Sequence, residues 1–222
     1  MGMIGRWGVG IVFLLAACAS AHAGDDSHGI RAGTNYKEIT TPQPTTAPAG
    51  TVEVIEFLWY DCQTCYVMQP LLERWLAENR DRVAYSRVPA VTGDNMIYFA
   101  RVFYAANTLG VLDQATPALF AAIHRYARPL DDDEKLVGFF GDLGIERARF
   151  LSVFRNSGTM AKVREAQVMN RRYDVQGAPT LVIGGRYRID PTMVASPEAM
   201  IDELDFLVER ELKGNKKSSD GS

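Results

Sequence analysis

Two cysteines separated by two residues are the side chains of this chain best suited to chemistry. They are Cys62 and Cys65, which follow the strand-like segment 56–61 in the stretch EFLWYDCQTC. Such a pair can form a dithiol/disulfide redox centre, supply half of a metal site, or close a structural disulfide. A disulfide across so short a loop restricts the unfolded chain little, so a stabilising role is weak and reactivity is the better explanation.

The N-terminus predicts export, and therefore an oxidising compartment for these thiols. Residues 1–23 contain one basic residue, a short apolar run and a small-residue end, AHA, which is typical of a cleaved signal peptide. The apolar run is shorter than the ~20 residues that span a bilayer. Residues 15–18 (LAAC) also resemble a lipoprotein signal, 1–17, with acylation of Cys18. Both routes remain open, and both leave Cys62 and Cys65 as the cysteines of the domain.

Composition excludes some functions. The 222 residues are 47% hydrophobic, enough for one sizeable core, and the formal charge of -3 gives no basic field for nucleic acid or an anionic membrane.

The periodicity predicts where these cysteines lie. Residues 52–59 read as a buried strand, residues 66–79 as an amphipathic helix and residues 83–88 as a second strand, so the cysteine pair lies at a strand-to-helix junction of a βαβ unit. Glu56 stands out in the first strand, because a buried carboxylate is costly unless it is protonated or hydrogen-bonded.

The rest of the chain predicts helices, then a hairpin. A short edge strand is expected near residues 36–39. Residues 180–183 and 186–189 flank Gly184 and Gly185, which favour a two-residue turn. The predicted helices span residues 95–109, 116–126, 132–140, 146–154, 159–173 and 197–212.

The order of these elements, with VEVIEFLWYDCQTCY, VQGAPTLVIGGRY and the step TLGV, resembles the DsbA family of periplasmic dithiol oxidases. The resemblance implies an α/β, thioredoxin-like fold with an inserted all-helical subdomain. The expected organisation is a signal (1–23, or 1–17), an N-terminal arm (24–50), a first thioredoxin-like segment (51–93), the helical insertion (94–158), a second thioredoxin-like segment (159–213) and a disordered tail (214–222).

The same resemblance implies the roles of the site residues. Cys62 would form the mixed disulfide with substrate, Cys65 would resolve it, and Glu56 would exchange a proton with Cys65. Substrate would contact four residues: Gln63, Thr64, Ala178 and Pro179, the last in a cis peptide bond. Core packing is expected for Trp59, Tyr60, Tyr66 and Met68, with a substrate-facing position as the alternative.

One departure from the family pattern lies between the cysteines. Many members have proline and histidine there, whereas this chain has Gln63 and Thr64. A nearby Asp61 carboxylate would raise the thiol pKa. We therefore expect a weaker oxidant than the archetype.

Other functions remain open. A disulfide reductase or isomerase would use the same chemistry in another direction. A copper- or zinc-binding module would need ligands beyond the two cysteines, and His28 and His124 are distant in sequence. A chaperone or adhesion module with a vestigial CQTC is the third alternative. No cofactor or metal is expected for the oxidase; its partners would be reduced exported proteins and a DsbB-like, quinone-linked membrane protein, and the chain would be a monomer.

Overall fold

The structure, a computed structural model, describes residues 29–219. The predicted signal and Cys18 lie outside the described residues. Five strands form one sheet in the order β1-β5-β4-β2-β3: β1 Lys37–Glu38, β2 Val52–Leu58, β3 Val83–Pro89, β4 Thr180–Ile183 and β5 Tyr187–Ile189. The α-helices are α1 Gln63–Asn79, α2 Ile97–Leu109, α3 Leu112–Phe120, α4 Asp133–Asp142, α5 Arg147–Phe154, α6 Ser157–Arg172 and α7 Pro197–Ser219.

Strand β2 is central and carries the chain to the cysteines. It pairs parallel to β3 and antiparallel to β4. Successive side chains of a strand point to opposite faces, so both faces need a cover. Val52 and Val54 pack in a cluster with residues of α1 and α7, whereas Ile55 and Phe57 pack with residues of α6. The predicted βαβ unit is confirmed, and its burial explains why β2 reads as a nearly continuous apolar run.

The predicted hairpin closes the other side of β2. Gly184 and Gly185 have φ of 57° and 64°, a region that glycine enters without steric cost. The Arg186 N–H donates to the Ile183 carbonyl at 3.0 Å and closes the turn. The predicted edge strand is also present as β1, antiparallel to β5.

The helical insertion has its own apolar core. Three stacked phenyl rings lie at its centre: Phe140 and Phe150 have centroids 4.5 Å apart, and Phe150 and Phe154 lie 5.3 Å apart. All three are fully buried. This core extends to Leu58 and Cys65, so the insertion packs directly on the end of β2 and the start of α1.

The helix predicted over residues 116–126 begins earlier and ends differently. Gly110 closes α2 in a left-handed conformation, and the Val111 N–H donates to the Ala106 carbonyl at 3.0 Å. This compact closure lets α3 begin at Leu112, ahead of the predicted start. After Phe120 the chain continues as a π-helical segment, Ala121–Arg125, the helix type in which carbonyls accept from N–H groups five residues on.

The last helix also continues past its predicted end. We expected it to finish at residue 212 and residues 214–222 to be disordered, whereas α7 extends to Ser219. Gly214 weakens a helix by about 1 kcal/mol relative to alanine but does not end it. The Lys213 ammonium lies 3.6 Å from Glu209, an i,i+4 pair that supports the helix near this point. Within residues 29–219, no helix has the length and apolar character required to cross a bilayer.

We predict that Phe150→Ala lowers the free energy of unfolding by about 3–5 kcal/mol, because it removes the middle ring of the stack and leaves a cavity. Urea denaturation at fixed redox state measures the loss. The matched control is Val168→Ala, at a side chain that is 46% exposed, which should change stability by at most about 0.5 kcal/mol. Equal effects of the two substitutions would contradict a separate aromatic core in the insertion.

Candidate redox site

Cys62 and Cys65 lie at the start of α1, where the chain leaves β2. The Cys62 N–H donates to the Trp59 carbonyl at 3.0 Å and closes the connecting turn. Cys62 is the N-cap residue of α1, and its Sγ accepts from the Cys65 N–H at 3.1 Å. Cys62 is half-buried, whereas Cys65 is fully buried. Both thiols are free. Of the two sulfurs, that of Cys62 is therefore the more accessible.

The two thiols differ in acidity, because Cys62 accepts hydrogen bonds whereas Cys65 is buried and donates one to Cys62. The pKa of Cys62 is lowered, chiefly by a hydrogen bond from the Cys65 thiol and further by N–H groups of Cys65 and Thr64. Burial is the main cause that raises the pKa of Cys65 well above its ordinary value. When the dithiol loses a proton, Cys62 is therefore the thiol that ionises first. A thiolate is the nucleophile in thiol exchange, so this arrangement favours the accessible sulfur as the reactive one.

The Ala178–Pro179 segment lies against Cys62, as the resemblance implied. The peptide bond between these residues is cis. The Cys62 Sγ lies 3.3 Å from the Ala178 carbonyl oxygen, which accepts the thiol hydrogen when Cys62 is protonated. Thr180 begins β4, and its hydroxyl donates to the Gly177 carbonyl at 2.8 Å, which ties the segment to the strand. Pro179 is buried and Ala178 half-buried.

Glu56 is buried beneath the site, in a network that two strands and α1 build. Its cross-strand partner is Arg87, and Tyr85 lies two residues before Arg87, so all three occupy one face of the sheet. Tyr85 donates its hydroxyl to Glu56, Gln69 donates its amide at 2.8 Å, and the Arg87 Nε lies 3.4 Å from the carboxylate. The side chain of Glu56 is 0% exposed, so it does not reach solvent at the end of the strand.

Burial dominates the ionisation of Glu56. Desolvation raises the pKa of its carboxyl, and Arg87, Tyr85 and Gln69 only partly offset that effect. When Glu56 is charged, it raises the pKa of both Cys62 and Cys65. The charge that opposes the Cys62 thiolate in this structure is thus that of Glu56, whereas the Asp61 side chain is exposed.

The structure separates the remaining candidates by burial. Tyr60 and Met68 are core residues, as expected, and the Tyr60 hydroxyl lies 3.1 Å from Thr116 in the interior. Gln63 is exposed and Thr64 half-buried, both on the first turn of α1. Both adjoin Cys62, and their contact with a substrate stays a prediction.

Sequence reasoning missed a histidine at the site. His124, in the π-helical segment, lies 2.8 Å from the Tyr60 carbonyl and 3.0 Å from the Gln63 side chain. It is 61 residues from Gln63 in the chain, and no local pattern links the two. The sequence did indicate Tyr85 and Arg87 as partners of Glu56. They lie two residues apart, and hence on one face, of a strand predicted to pair with the strand that carries Glu56.

A metal bound at the cysteine pair would need further ligands grouped with the two sulfurs. Among residues 29–219, no three or more His, Cys, Asp or Glu side chains are grouped so that they could hold a metal ion.

Glu56→Gln should stabilise the folded protein progressively, relative to wild type, as the pH rises. A carboxyl whose pKa is raised by folding binds its proton more tightly in the folded state. The contribution of this carboxyl to folding stability therefore falls as the pH rises from its ordinary pKa of 4.5 to the raised pKa of the folded state, and it is constant at higher pH. The glutamine side chain stays neutral throughout this pH range, so the variant does not share this loss. Urea unfolding of the dithiol form between about pH 4 and 8 should show a gain of about 1.4 kcal/mol for each unit of the shift.

Glu53→Gln provides the matched control, because it removes a carboxylate from a half-buried position on the same strand. The pH-dependent gain of Glu56→Gln should remain after the effect of Glu53→Gln is subtracted. A gain that is independent of pH, or that shrinks as the pH rises, would show that burial does not govern the ionisation of Glu56.

Comparison with known proteins places this site in a family. The model of the DSBA-like thioredoxin domain matches residues 43–205. The thiol:disulfide interchange protein DsbA of Burkholderia cepacia is 32% identical over 178 residues, which cover 80% of this chain and 84% of that protein. Its counterpart in Pseudomonas aeruginosa is 31% identical over 186 residues, covering 84% and 88%. The crystal structure of Pseudomonas aeruginosa DsbA superposes with a TM-score of 0.77 at 30% identity, covering 85% of this chain and 97% of that one. The chain belongs to the DsbA family, with a thioredoxin-like fold and a helical insertion.

Proposed function

We propose that this protein is a dithiol oxidase, which passes the disulfide between Cys62 and Cys65 to cysteines of exported, folding proteins. The observation that carries the proposal is the asymmetry of the pair: a half-buried Cys62 with a lowered pKa next to a buried Cys65 with a raised one. Stabilising the thiolate of Cys62 stabilises the reduced enzyme, so the disulfide becomes more oxidising. The related proteins named thiol:disulfide interchange protein DsbA support the same chemistry.

The reaction proceeds through two exchanges. A substrate thiolate attacks the Sγ of Cys62; the bond between the two enzyme sulfurs breaks, and Cys65 leaves as a thiolate that takes up a proton. A second substrate thiolate then attacks the substrate sulfur of the mixed disulfide, and Cys62 leaves as the stabilised thiolate. The substrate loses two electrons and two protons and gains a disulfide, and the enzyme gains the two electrons. Glu56 is proposed to exchange the proton that Cys65 gains or releases.

The substrate is proposed to lie across the cis-proline segment. An extended peptide would pair with the backbone of Ala178 beside Pro179, and its sulfur would then approach Cys62 from the exposed side. The Ala178 carbonyl, 3.3 Å from the Cys62 Sγ, marks where such a peptide must meet the reactive sulfur. Gln63 and Thr64 would form the opposite border of this contact.

The proposed cellular setting rests on the N-terminal sequence and on the family. A periplasmic monomer is proposed, free after cleavage at residue 23 or lipid-anchored through Cys18. Reoxidation of the dithiol would return its two electrons to a DsbB-like, quinone-linked membrane protein. We further propose that the couple is less oxidising than that of the archetype, because the pair encloses Gln63 and Thr64 where many members have proline and histidine.

We predict that Cys65→Ser accumulates a mixed disulfide at Cys62 when it is mixed with a disulfide-containing peptide, because the resolving thiol is missing. Non-reducing mass spectrometry after tryptic digestion identifies the modified residue. Cys62→Ser is the matched control: the remaining Cys65 thiol is 0% exposed and should react slowly. Neither variant should accelerate disulfide formation in a reduced, unfolded test protein, whereas the wild type should. A preferred adduct on Cys65 would reverse the assigned roles.

A further inference from the structure

One imidazole contacts the redox loop on both sides of Cys62. The two ring nitrogens of His124 reach different residues of the loop: Nε2 lies 2.8 Å from the Tyr60 carbonyl oxygen, and Nδ1 lies 3.0 Å from Oε1 of Gln63. Tyr60 precedes Cys62 by two residues, and Gln63 follows it directly. The ring also stacks on Tyr66 of α1, with centroids 5.2 Å apart. His124 is thereby fixed at the N-terminal end of the helix that carries both cysteines.

The partners of the ring define its protonation chemistry. A backbone carbonyl only accepts, so Nε2 must carry a hydrogen and donate it to Tyr60. In a neutral ring Nδ1 is then an acceptor, and it would face the acceptor oxygen of Gln63. The arrangement in the structure therefore suits the imidazolium, in which both nitrogens donate. A neutral ring suits the Gln63 amide turned by half a rotation, with its NH₂ donating to Nδ1.

A π-helical irregularity in the helical insertion places His124 beside the redox loop. His124 belongs to the π-helical segment Ala121–Arg125, which follows α3 without a break. π-helical segments often occur at functional sites. Phe120 and Tyr66 pack against the ring and limit its movement. The helical insertion, which is far from the cysteines in sequence, thus contributes a titratable group to the redox loop.

We propose that His124 is a positioning residue of the redox centre, whose protonated ring stabilises the Cys62 thiolate and makes the disulfide more oxidising at acidic pH. This inference rests on the proposed role of Cys62 as the reactive thiol. The histidine missing from between the cysteines is replaced by one from the insertion. An imidazolium adds a positive charge to the positive end of α1, where a thiolate is already favoured.

The ionisable neighbours of the ring come from the redox loop with α1 and from its own segment. On the α1 side the ring stacks on Tyr66 and contacts the residues that flank the Cys62 thiol, and Asp61 lies in the same turn. On its own segment the neighbour is Arg125, whose guanidinium lies over the Tyr126 ring at 5.4 Å. Imidazoles change charge between about pH 5 and 8. The charge of this imidazole is the variable that the proposal invokes, and the Cys62 thiolate is the group that responds.

The test compares the equilibrium of four proteins with glutathione at pH 6 and pH 8: wild type, His124→Gln, His124→Lys and Arg125→Gln. Glutathione's own titration cancels in the ratio of each variant to wild type. At pH 6, His124→Gln should shift the equilibrium toward the disulfide by roughly three- to tenfold, the effect expected of one positive charge removed from the N-terminal end of α1. At pH 8 the two proteins should nearly agree. His124→Lys keeps a positive charge and should be more oxidising than wild type at pH 8.

Arg125→Gln is the matched control, because it removes a positive charge from the adjacent, exposed position. Its shift should be below about twofold at both pH values. A second readout is the ¹⁵N spectrum of the His124 ring at pH 6, in which reduction of the disulfide should increase the protonated fraction. Assignment of the signal is checked with His28→Gln.

Two outcomes would overturn the inference. A shift of equal size at pH 6 and pH 8 would mean that His124 acts only through packing, and no shift at either pH would mean that it does not act on the couple. The proposed oxidase function fails in a different way, if the wild-type protein itself does not favour the dithiol when it equilibrates with glutathione.

Discussion

The hydrogen bond from the Cys65 N–H to the Cys62 sulfur, 3.1 Å long, is the contact on which the rest of the site depends. It makes Cys62 the N-cap of α1 and places a sulfur where a helix has unpaired N–H groups and the positive end of its dipole. The contact requires a strand that ends just before the cysteines and a helix that starts between them. The paired β2 and the tight turn at Trp59 meet that requirement, and the insertion packs against the end of β2 and the start of α1.

Two charges act in opposite directions on this sulfur. Glu56, buried in β2, raises the pKa of both cysteines when it is ionised. Arg87 and Tyr85 lower the pKa of Glu56 by charge and hydrogen bonds and so favour its ionised form, whereas His124 would oppose the charge of Glu56 from the other side of the loop. The redox couple is therefore adjusted by residues from the sheet and from the insertion, besides the two residues between the cysteines.

The local features of this site were predictable from the sequence. The strand-helix junction, the two glycines of the hairpin and the proline before β4 each carry a short-range signal, and all three are found. Glu56 was identifiable because a carboxylate in an apolar strand needs partners. The contact between His124 and Gln63 was not predictable, because it depends on how the insertion packs and on a π-helical segment that no periodicity marks. The start of α3 was missed because the closure at Gly110 leaves very few residues between two helices.

The most direct test of the central claim is the reduction potential of the Cys62–Cys65 couple in the wild-type protein, from equilibrium with glutathione at pH 7. We expect a value between the ~-270 mV of thioredoxin and the ~-120 mV of archetypal DsbA, and well above the former. Such a value would mean that the Cys62 thiolate is stabilised strongly enough for the disulfide to oxidise exported proteins. A value at or below that of thioredoxin would contradict the account and make the protein a reductase.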